Sequence, residues 1–280
     1  MKKIAVIGAG TMGNGIAQVA AEAGFEVSLY DKNAEGLAAG IRRIEKTLNR
    51  NVEKNKISQA ESDEIRNRIQ PVATMDELKD MDVVIEAIIE QIEPKKALFA
   101  ELDTICKSST IFASNTSGLS ITEMASAVKR SGQVVGMHFF NPVPVMRLVE
   151  IIRGEQTDEE TFQTAHTLAE RFNKVAISVK EAPLFAVNRI LTPMINEAIF
   201  VLDEGIASAE DIDQGMMLGA SHPIGPLALA DLIGLDTMLF VAETLYEEMK
   251  DSKYRPAPLL KKYVRAGRLG RKTGEGFFKY

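Results

Sequence analysis

The sequence predicts an α/β protein, in which an N-terminal Rossmann-like, doubly wound and mostly parallel sheet precedes a C-terminal all-α domain. Three observations support this fold class. Short β-branched runs alternate with amphipathic helical segments through the first half of the chain, as in βαβ units. A glycine-rich turn joins the first run to the first helix. After Pro183 only helical patterns follow, so we predict two domains, at 1–183 and 184–280.

The individual elements follow from length, composition and punctuation. Buried strands are predicted from apolar runs at 4–8, 25–31, 82–88, 109–115 and 132–140. Helical patterns lie at 12–23 and 94–106, and two later strand-like segments, 147–152 and 174–180, flank a helix at 158–172. In the C-terminal domain, Gly, Pro and Ser separate helices at 184–204, 208–219, 225–249 and 256–266.

The composition limits the class of protein. With 280 residues, 45% of them hydrophobic, the chain can bury a sizeable core. The net charge of −6 argues against broad nucleic-acid binding, and no stretch approaches the roughly 20 apolar residues of a membrane span. The single cysteine, Cys106, excludes an internal disulfide and suits a reducing compartment. We therefore expect a cytoplasmic protein with neither nucleic-acid nor membrane partners.

The turn in IAVIGAGTMGNGIA has the spacing of a dinucleotide-binding loop. Gly8, Gly10 and Gly13 follow a predicted strand and open a predicted helix, with Thr11 and Met12 between the last two glycines. The first glycine permits the tight turn, the second lets the backbone approach a pyrophosphate, and the third lets the helix pack on the strand. A glycine turn without a ligand is the weaker alternative, because the full strand–turn–helix context is present.

Asp31 ends the second predicted strand, where an acidic side chain can bond both hydroxyls of a ribose. A carboxylate at this position repels a 2′-phosphate, so the sequence favours NAD over NADP. Lys32 follows directly and could soften that preference, which leaves NADP possible.

His138 lies at the C-terminal end of a predicted strand, the edge at which doubly wound sheets bind ligands. A histidine there can exchange a proton near neutral pH if a neighbour fixes its tautomer. Glu150, beyond a proline-broken loop, could accept the imidazole N–H. A structural histidine beside a solvated glutamate is an equally good interpretation of these two residues alone. The other two histidines are interpreted as surface or structural, and no Cys/His cluster has metal-ligand spacing.

Polar residues also follow two other predicted strands. The segment SNTSGLSI at 114–121 places Asn115 and Ser117 at a strand end, where they could face a ligand or simply cap a helix. Glu90 and Lys95 follow a neighbouring strand and have the same two interpretations.

A basic ridge is predicted along one helix, because Arg42, Lys46, Arg50 and Lys54 recur every four residues. On an acidic protein this ridge could bind a phosphorylated substrate. A solvated helix face with glutamates nearby is the alternative.

Taken together, the motifs resemble the L-3-hydroxyacyl-CoA dehydrogenase family, most closely its bacterial 3-hydroxybutyryl-CoA members. The resemblance covers essentially the whole chain and is carried by VIGAGTMGNGIAQVAA, VIEAIIE, SNTSGLSI, GMHFFNPVPVMRLVEII, FAVNRIL, HPIGPLALADLIGLD and GRKTGEGFF. It implies reversible hydride transfer between NAD and C3 of a short-chain acyl-CoA, acetoacetyl-CoA or 3-hydroxybutyryl-CoA. It also implies a homodimer or higher homo-oligomer formed through the helical domain.

The resemblance also implies a role for each matching position. His138 matches the general base, Glu150 its orienting partner, Ser117 a residue that bonds the substrate oxygen, and Asn188 an amide that completes the site from the helical domain. Cofactor-contacting or site-lining positions are matched by Glu90, Lys95, Asn115 and Asn141, and positions near the CoA phosphates by Arg50 and Lys54.

The chain departs from the family pattern at one position. Where the family typically has Pro-Gly-Phe, this chain has Pro183, Leu184 and Phe185, which puts the placement of Asn188 in question. Two other functions are compatible with the residues: an NAD-dependent dehydrogenase of a free hydroxy acid or sugar acid, and a non-catalytic NAD-binding protein. The first needs no basic ridge, and the second needs only the glycine turn and Asp31.

Overall fold

A computed structural model describes residues 1–280, which divide into two compact units, Met1–Ala182 and Pro183–Tyr280. The first unit contains one eight-stranded sheet, whose strands are β1 (Lys3–Ile7), β2 (Glu26–Tyr30), β3 (Ile69–Val72), β4 (Val83–Glu86), β5 (Ile111–Ser114), β6 (Val134–Phe139), β7 (Leu148–Arg153) and β8 (Val175–Lys180). Their order across the sheet is β3-β2-β1-β4-β5-β6-β7-β8. Every neighbouring pair is parallel except β6 and β7.

Six helices connect these strands: α1 (Thr11–Glu22), α2 (Ala34–Glu53), α3 (Gln59–Asn67), α4 (Ile92–Ile105), α5 (Ile121–Ala125) and α6 (Glu159–Arg171). All residues of the central strands β4, β5 and β6 are buried, as expected for parallel strands covered on both faces. This arrangement confirms the predicted Rossmann-like, mostly parallel sheet.

The chain reverses its direction of winding between β1 and β4. Strands β2 and β3 lie on one side of β1, whereas β4 and all later strands lie on the other. In doubly wound sheets such a switch point opens a crevice at the carboxyl ends of the strands. The glycine turn after β1 lies at this crevice, where the Gly8 N–H donates to the Tyr30 carbonyl at 2.8 Å.

The antiparallel pair β6–β7 forms a hairpin whose connection spans residues 140–147. Pro142 and Pro144 lie in this connection, and neither can donate to a strand ladder. The Pro142 carbonyl instead accepts the N–H groups of Val145 and Met146, both at 2.9 Å. We call residues 140–147 the proline loop. The register of the hairpin places His138 directly opposite Glu150.

Three elements of the first unit, α3, α5 and β3, were not predicted. Strand β3 contains Pro71 and lies at the edge of the sheet, where the missing N–H is tolerated. Helix α3 begins with a capping box between Ser58 and Glu61, a signal already present in the sequence SQAE.

The second unit has no β-strand and contains the helices α7 (Val187–Asp203), α8 (Ala209–Gly219), α9 (Pro226–Ile233), α10 (Leu235–Met249) and α11 (Pro258–Arg265). This confirms the predicted all-α C-terminal domain. None of the helices in the protein combines the length and the apolarity needed to span a bilayer.

Two predicted helix bounds in this unit are wrong. The single helix expected at 225–249 is two helices that meet at Gly234, whose φ of 100° ends α9. Leu227 before the break and Leu235 after it share one apolar cluster, so the sequence pattern continues through the break. The helix expected from 184 begins at Val187, because Leu184 and Phe185 both have a φ of 59° and cannot belong to an α-helix.

The C-terminal segment is fixed to α9 through one buried carboxylate. Asp231 accepts the main-chain N–H groups of Phe277 and Phe278, each at 2.9 Å, and the hydroxyl of Tyr280 at 3.1 Å. Gly276 allows this close approach, since a Cβ there would lie 1.9 Å from an Asp231 carboxylate oxygen.

Candidate active site

The glycine turn leaves no space for side chains at two of its three glycines. Gly8 has a φ of 96°, and a Cβ there would lie 2.5 Å from the Ala87 carbonyl oxygen. A Cβ on Gly13 would lie only 1.7 Å from the Gly8 carbonyl oxygen. Around Gly10, by contrast, no atom lies within 4 Å of such a Cβ. The backbone at Gly10 is therefore open to an approaching ligand.

Gly10 is also the N-cap residue of α1, and no side chain caps this end of the helix. The first N–H groups of a helix carry a partial positive charge and suit a phosphate group. The turn thus fits the pyrophosphate of a dinucleotide, with Thr11 and Met12 in the first turn of the helix.

Asp31 follows β2 and its carboxylate is bonded to the glycine turn. One oxygen accepts the Ala9 N–H at 2.8 Å, and the other accepts the Asn33 N–H at 2.9 Å. The side chain is half-buried at the switch-point crevice. Asp31 therefore holds the turn in place as well as presenting a negative charge beside it.

His138 and Glu150 form a buried pair across the β6–β7 hairpin. The imidazole Nδ1 lies 2.7 Å from Glu150 Oε2, and the two residues are 4% and 0% exposed. An ionised carboxylate can only accept, so Nδ1 carries the proton and Nε2 is the basic nitrogen. The ring of Phe140, the first residue of the proline loop, lies 4.5 Å from the imidazole centroid. The pair has the arrangement of a general base with an orienting carboxylate.

Asn115 supports the strand that carries His138. Its side-chain oxygen accepts the Phe139 N–H at 3.0 Å, which ties the end of β5 to the end of β6. Asn141, the other predicted site-lining amide, lies in the proline loop and is exposed.

Glu90 and Lys95 belong to a buried network that holds Ser117. Lys95 is 1% exposed, and its ammonium lies 2.5 Å from Glu86 Oε1 and 3.3 Å from Glu90 Oε2. Glu90 Oε1 in turn accepts the Thr116 hydroxyl at 2.6 Å and the Ser117 N–H at 2.7 Å. The network fixes the segment after β5, so the Ser117 backbone is held at the carboxyl edge of the sheet.

Glu86 was not singled out from the sequence, although it anchors this network. It is 0% exposed, and besides Lys95 it accepts the Ser114 hydroxyl at 2.6 Å and the Ile88 N–H at 2.7 Å. Buried charges need such partners. The signal in the sequence is a glutamate within the otherwise apolar run VVIEAI.

The basic ridge on α2 divides into two parts. Arg50 and Lys54 line an open cleft of about 790 Å³, together with Pro144 and Val145 of the proline loop. Arg42 and Lys46 are exposed on the same helix but do not line this cleft. The cleft therefore brings two of the four ridge cations beside the loop that follows His138.

Asn188 lies in the second unit, in the first turn of α7, and is half-buried. The two left-handed residues before this helix, Leu184 and Phe185, reproduce the backbone conformation that a glycine would favour. Leu184 therefore has a positive φ at the position where the family pattern has glycine.

Comparison with known proteins gives the same two-part division. Residues 3–182 match the 3-hydroxyacyl-CoA dehydrogenase NAD-binding domain, and residues 185–280 match the 3-hydroxyacyl-CoA dehydrogenase C-terminal domain. A probable 3-hydroxybutyryl-CoA dehydrogenase from Bacillus subtilis is 53% identical over 100% of this chain and 98% of its own length. The human mitochondrial hydroxyacyl-coenzyme A dehydrogenase is 42% identical over 100% of this chain and 91% of its own length.

Solved structures are equally similar. The crystal structure of (S)-3-hydroxybutyryl-CoA dehydrogenase PaaH1 from Ralstonia eutropha superposes with a TM-score of 0.97 at 49% identity, covering 100% of this chain and 99% of that one. The M. tuberculosis FadB2 structure also gives a TM-score of 0.97, at 40% identity, covering 100% of this chain and 99% of that one.

Proposed function

The chain belongs to the 3-hydroxyacyl-CoA dehydrogenase family, and we propose that it interconverts (S)-3-hydroxybutyryl-CoA and acetoacetyl-CoA with NAD(H). It is thus an oxidoreductase that acts on the CH–OH group at C3 of a short-chain acyl-CoA. The observation that carries this proposal is the buried His138–Glu150 pair, with Nδ1 2.7 Å from Oε2.

The protein's part in the reaction is to move one proton. In the oxidative direction His138 Nε2 takes the proton of the 3-hydroxyl group as the C3–H bond breaks. NAD, when bound, supplies the acceptor for the hydride. Glu150 keeps the proton on Nδ1 and stabilises the imidazolium that forms, because its negative charge faces the ring in a buried setting. The reductive direction returns the same proton from Nε2 to the oxygen at C3.

Two further residues are proposed to bond the substrate oxygen. Ser117 is held by Glu90 through its main-chain N–H, so its position is fixed before substrate binds. Asn188 is assigned the second contact on the basis of the family resemblance. Together they would stabilise the charge that develops on the oxygen.

We propose NAD rather than NADP as the cofactor, because of Asp31. Its carboxylate lies at the end of β2 and is bonded to the Ala9 N–H of the glycine turn. A 2′-phosphate on the neighbouring ribose would meet this negative charge. Lys32, the next residue, is exposed.

We also propose a homodimer or higher homo-oligomer that forms through the helical unit. Several large apolar residues of that unit are exposed, among them Ile190, Leu218, Leu232 and Phe240. Such surfaces on a folded unit are typical of protein–protein interfaces. Light scattering after gel filtration would measure the mass, and a monomer at micromolar concentration would contradict this part of the proposal.

The substrate is tested directly by following the oxidation of NADH with acetoacetyl-CoA. Free acetoacetate in the same assay separates a CoA-ester dehydrogenase from a dehydrogenase of free hydroxy acids. We expect turnover of the CoA ester and little of the free acid, since Arg50 and Lys54 line a cleft that suits phosphate groups. NADH binding without any turnover would instead favour a non-catalytic NAD-binding protein.

A further inference from the structure

Lys174 is a buried cation that the proposed reaction does not use. It lies between α6 and β8 and is 9% exposed. Its ammonium donates to two main-chain carbonyls of the proline loop, Val143 at 2.6 Å and Met146 at 2.9 Å. A lysine that loses water must find such acceptors, because an unpaired buried charge is costly.

The backbone fixes the position of this lysine on both sides. Its own N–H donates to the Ala169 carbonyl at 3.1 Å and closes the end of α6 after Asn173, which has a φ of 57°. The next residue, Val175, donates to the Arg147 carbonyl at 2.7 Å and starts the pairing of β8 with β7. Lys174 therefore reaches the loop from a rigid junction.

The acceptors of Lys174 are neutral. Burial lowers the pKa of Lys174, and the charge of Glu22 at the end of α1 raises it again through space. Glu22 itself accepts from the Gln18 amide at 2.8 Å. The charge of the lysine is thus directed mainly at the loop carbonyls, which strengthens both hydrogen bonds.

On its other side the proline loop packs against α1, the helix that follows the glycine turn. A Cβ on Gly15 of α1 would lie 2.8 Å from Val143 Cβ and 3.3 Å from Pro144 Cδ. Val143 is buried in this contact. The loop is therefore held between α1, which begins at the glycine turn, and Lys174.

This loop joins the two residues of the proposed proton path. It begins at Phe140, whose ring packs on His138, and it ends one residue before β7, which carries Glu150. Pro144 and Val145 at its middle line the cleft that Arg50 and Lys54 also line. A shift of the loop would therefore displace both the imidazole and one wall of the cleft.

We propose that Lys174 is a positioning residue, which acts through the proline loop to hold the His138–Glu150 pair and the cleft wall in register. This proposal rests on the proposed function for its kinetic consequence only. The anchoring of the loop can be measured without any substrate.

The test compares Lys174→Met with Lys180→Met. Methionine keeps most of the apolar stem of lysine but removes its charge and its donors. Lys180 serves as the control because it is an exposed lysine at the end of β8, the strand that follows Lys174. Hydrogen exchange of a peptide that covers residues 140–147 reports on the loop, through the amides of Val145 and Met146. We expect faster exchange there in K174M and wild-type exchange in K180M.

Kinetics with acetoacetyl-CoA and NADH provide the second measurement. We expect K174M to lower kcat and raise KM for the CoA ester, with kcat/KM reduced roughly 10- to 100-fold, as for a misplacement of about 1 Å. The affinity for NADH, measured by fluorescence titration, should change less than kcat/KM, because the glycine turn and Asp31 lie outside the proline loop. Lys174→Arg retains charge and donors and should keep more of the wild-type kcat/KM than K174M does.

Three results would overturn the proposal. The first is that the loop of K174M exchanges at the wild-type rate. The second is that the loop of K174M exchanges faster while its kcat/KM stays at the wild-type value. The third is that K174M loses activity and NADH binding only in proportion to its loss of folded protein. If wild-type protein fails to reduce acetoacetyl-CoA, the proposed function fails, while the exchange experiment still decides whether Lys174 anchors the loop.

Discussion

Glu150 lies directly across the β6–β7 ladder from His138, and its Oε2 is 2.7 Å from the imidazole Nδ1. Because the pair should act as one unit, we expect His138→Gln to lower kcat by a factor on the order of 10²–10⁴. Glu150→Gln should lower it less, since Nε2 remains present. Steady-state kinetics with acetoacetyl-CoA measure both losses.

The double variant H138Q/E150Q shows whether His138 and Glu150 act as one unit or contribute to kcat independently. If Glu150 acts only through His138, the double variant should be no slower than H138Q. Additive losses would show that Glu150 has a role of its own, and near-wild-type turnover of H138Q would remove His138 from the reaction.

Asp31→Asn should weaken the discrimination against NADP. The amide oxygen can still accept the Ala9 N–H, so the glycine turn keeps its support, while the negative charge and the acceptor for the Asn33 N–H are lost. We expect the ratio of kcat/KM for NADPH to that for NADH to rise roughly 10-fold, since a change of about 1.4 kcal/mol produces such a ratio. An unchanged ratio would place cofactor selection on residues other than Asp31.

Charge reversal of the cleft cations should weaken binding of CoA esters. We expect R50E/K54E to raise KM for acetoacetyl-CoA roughly 10-fold at low ionic strength, and less as salt is added, because exposed charges are screened. The matched control is R42E/K46E, which changes the net charge equally on the same helix but outside the cleft. Equal increases in KM for the two double variants would indicate that the overall charge of the protein, and not a local binding site, attracts the CoA ester.

At position 184 we expect a glycine variant to be more stable than an alanine variant, which reverses their usual order of stability. Leu184 has a φ of 59° and packs with Leu245 and Tyr254. Leu184→Ala and Leu184→Gly both lose this burial, at a cost of about 2–5 kcal/mol for the alanine variant. Only glycine relieves the left-handed backbone, worth about 1 kcal/mol. Urea unfolding should therefore rank wild type above L184G and L184G above L184A, and the opposite order of the two variants would mean that this backbone is not strained.

Cys106 should be a slow nucleophile in the folded protein. Burial raises the pKa of its thiol to about 11, with a smaller opposing effect from Arg130. At pH 8 a thiol of this pKa has on the order of 10²-fold less thiolate than an ordinary cysteine. Reaction with a disulfide reagent should accordingly wait for unfolding. Rapid labelling of the native protein at pH 8 would show that the thiol is more accessible than its surroundings indicate.

The sheet was predictable because its strands are short, apolar and separated by helical patterns. The break at Gly234 was not, since apolar residues on both sides pack into one cluster and keep the periodicity of a single helix. The antiparallel direction of β7 has one sign in the sequence, the length of the proline loop. Eight residues are too few for a crossover helix and are consistent with a hairpin.

The candidate site was predictable where a polar residue interrupts an apolar strand end, as at His138. Glu86 carries the same kind of signal, a charged residue within an apolar run, but was missed. Lys174 was missed because its position looks ordinary in the sequence, and its importance comes from partners distant along the chain, Val143 and Met146. Such contacts are set by tertiary packing, which no local pattern contains.

The anchoring of the C-terminal segment to Asp231 has a consequence for protein lifetime. Truncation after Gly276 would remove three donors from a carboxylate that is 1% exposed. A cell carrying such a nonsense allele would lose the protein to quality-control proteases, although every residue assigned to chemistry would still be encoded.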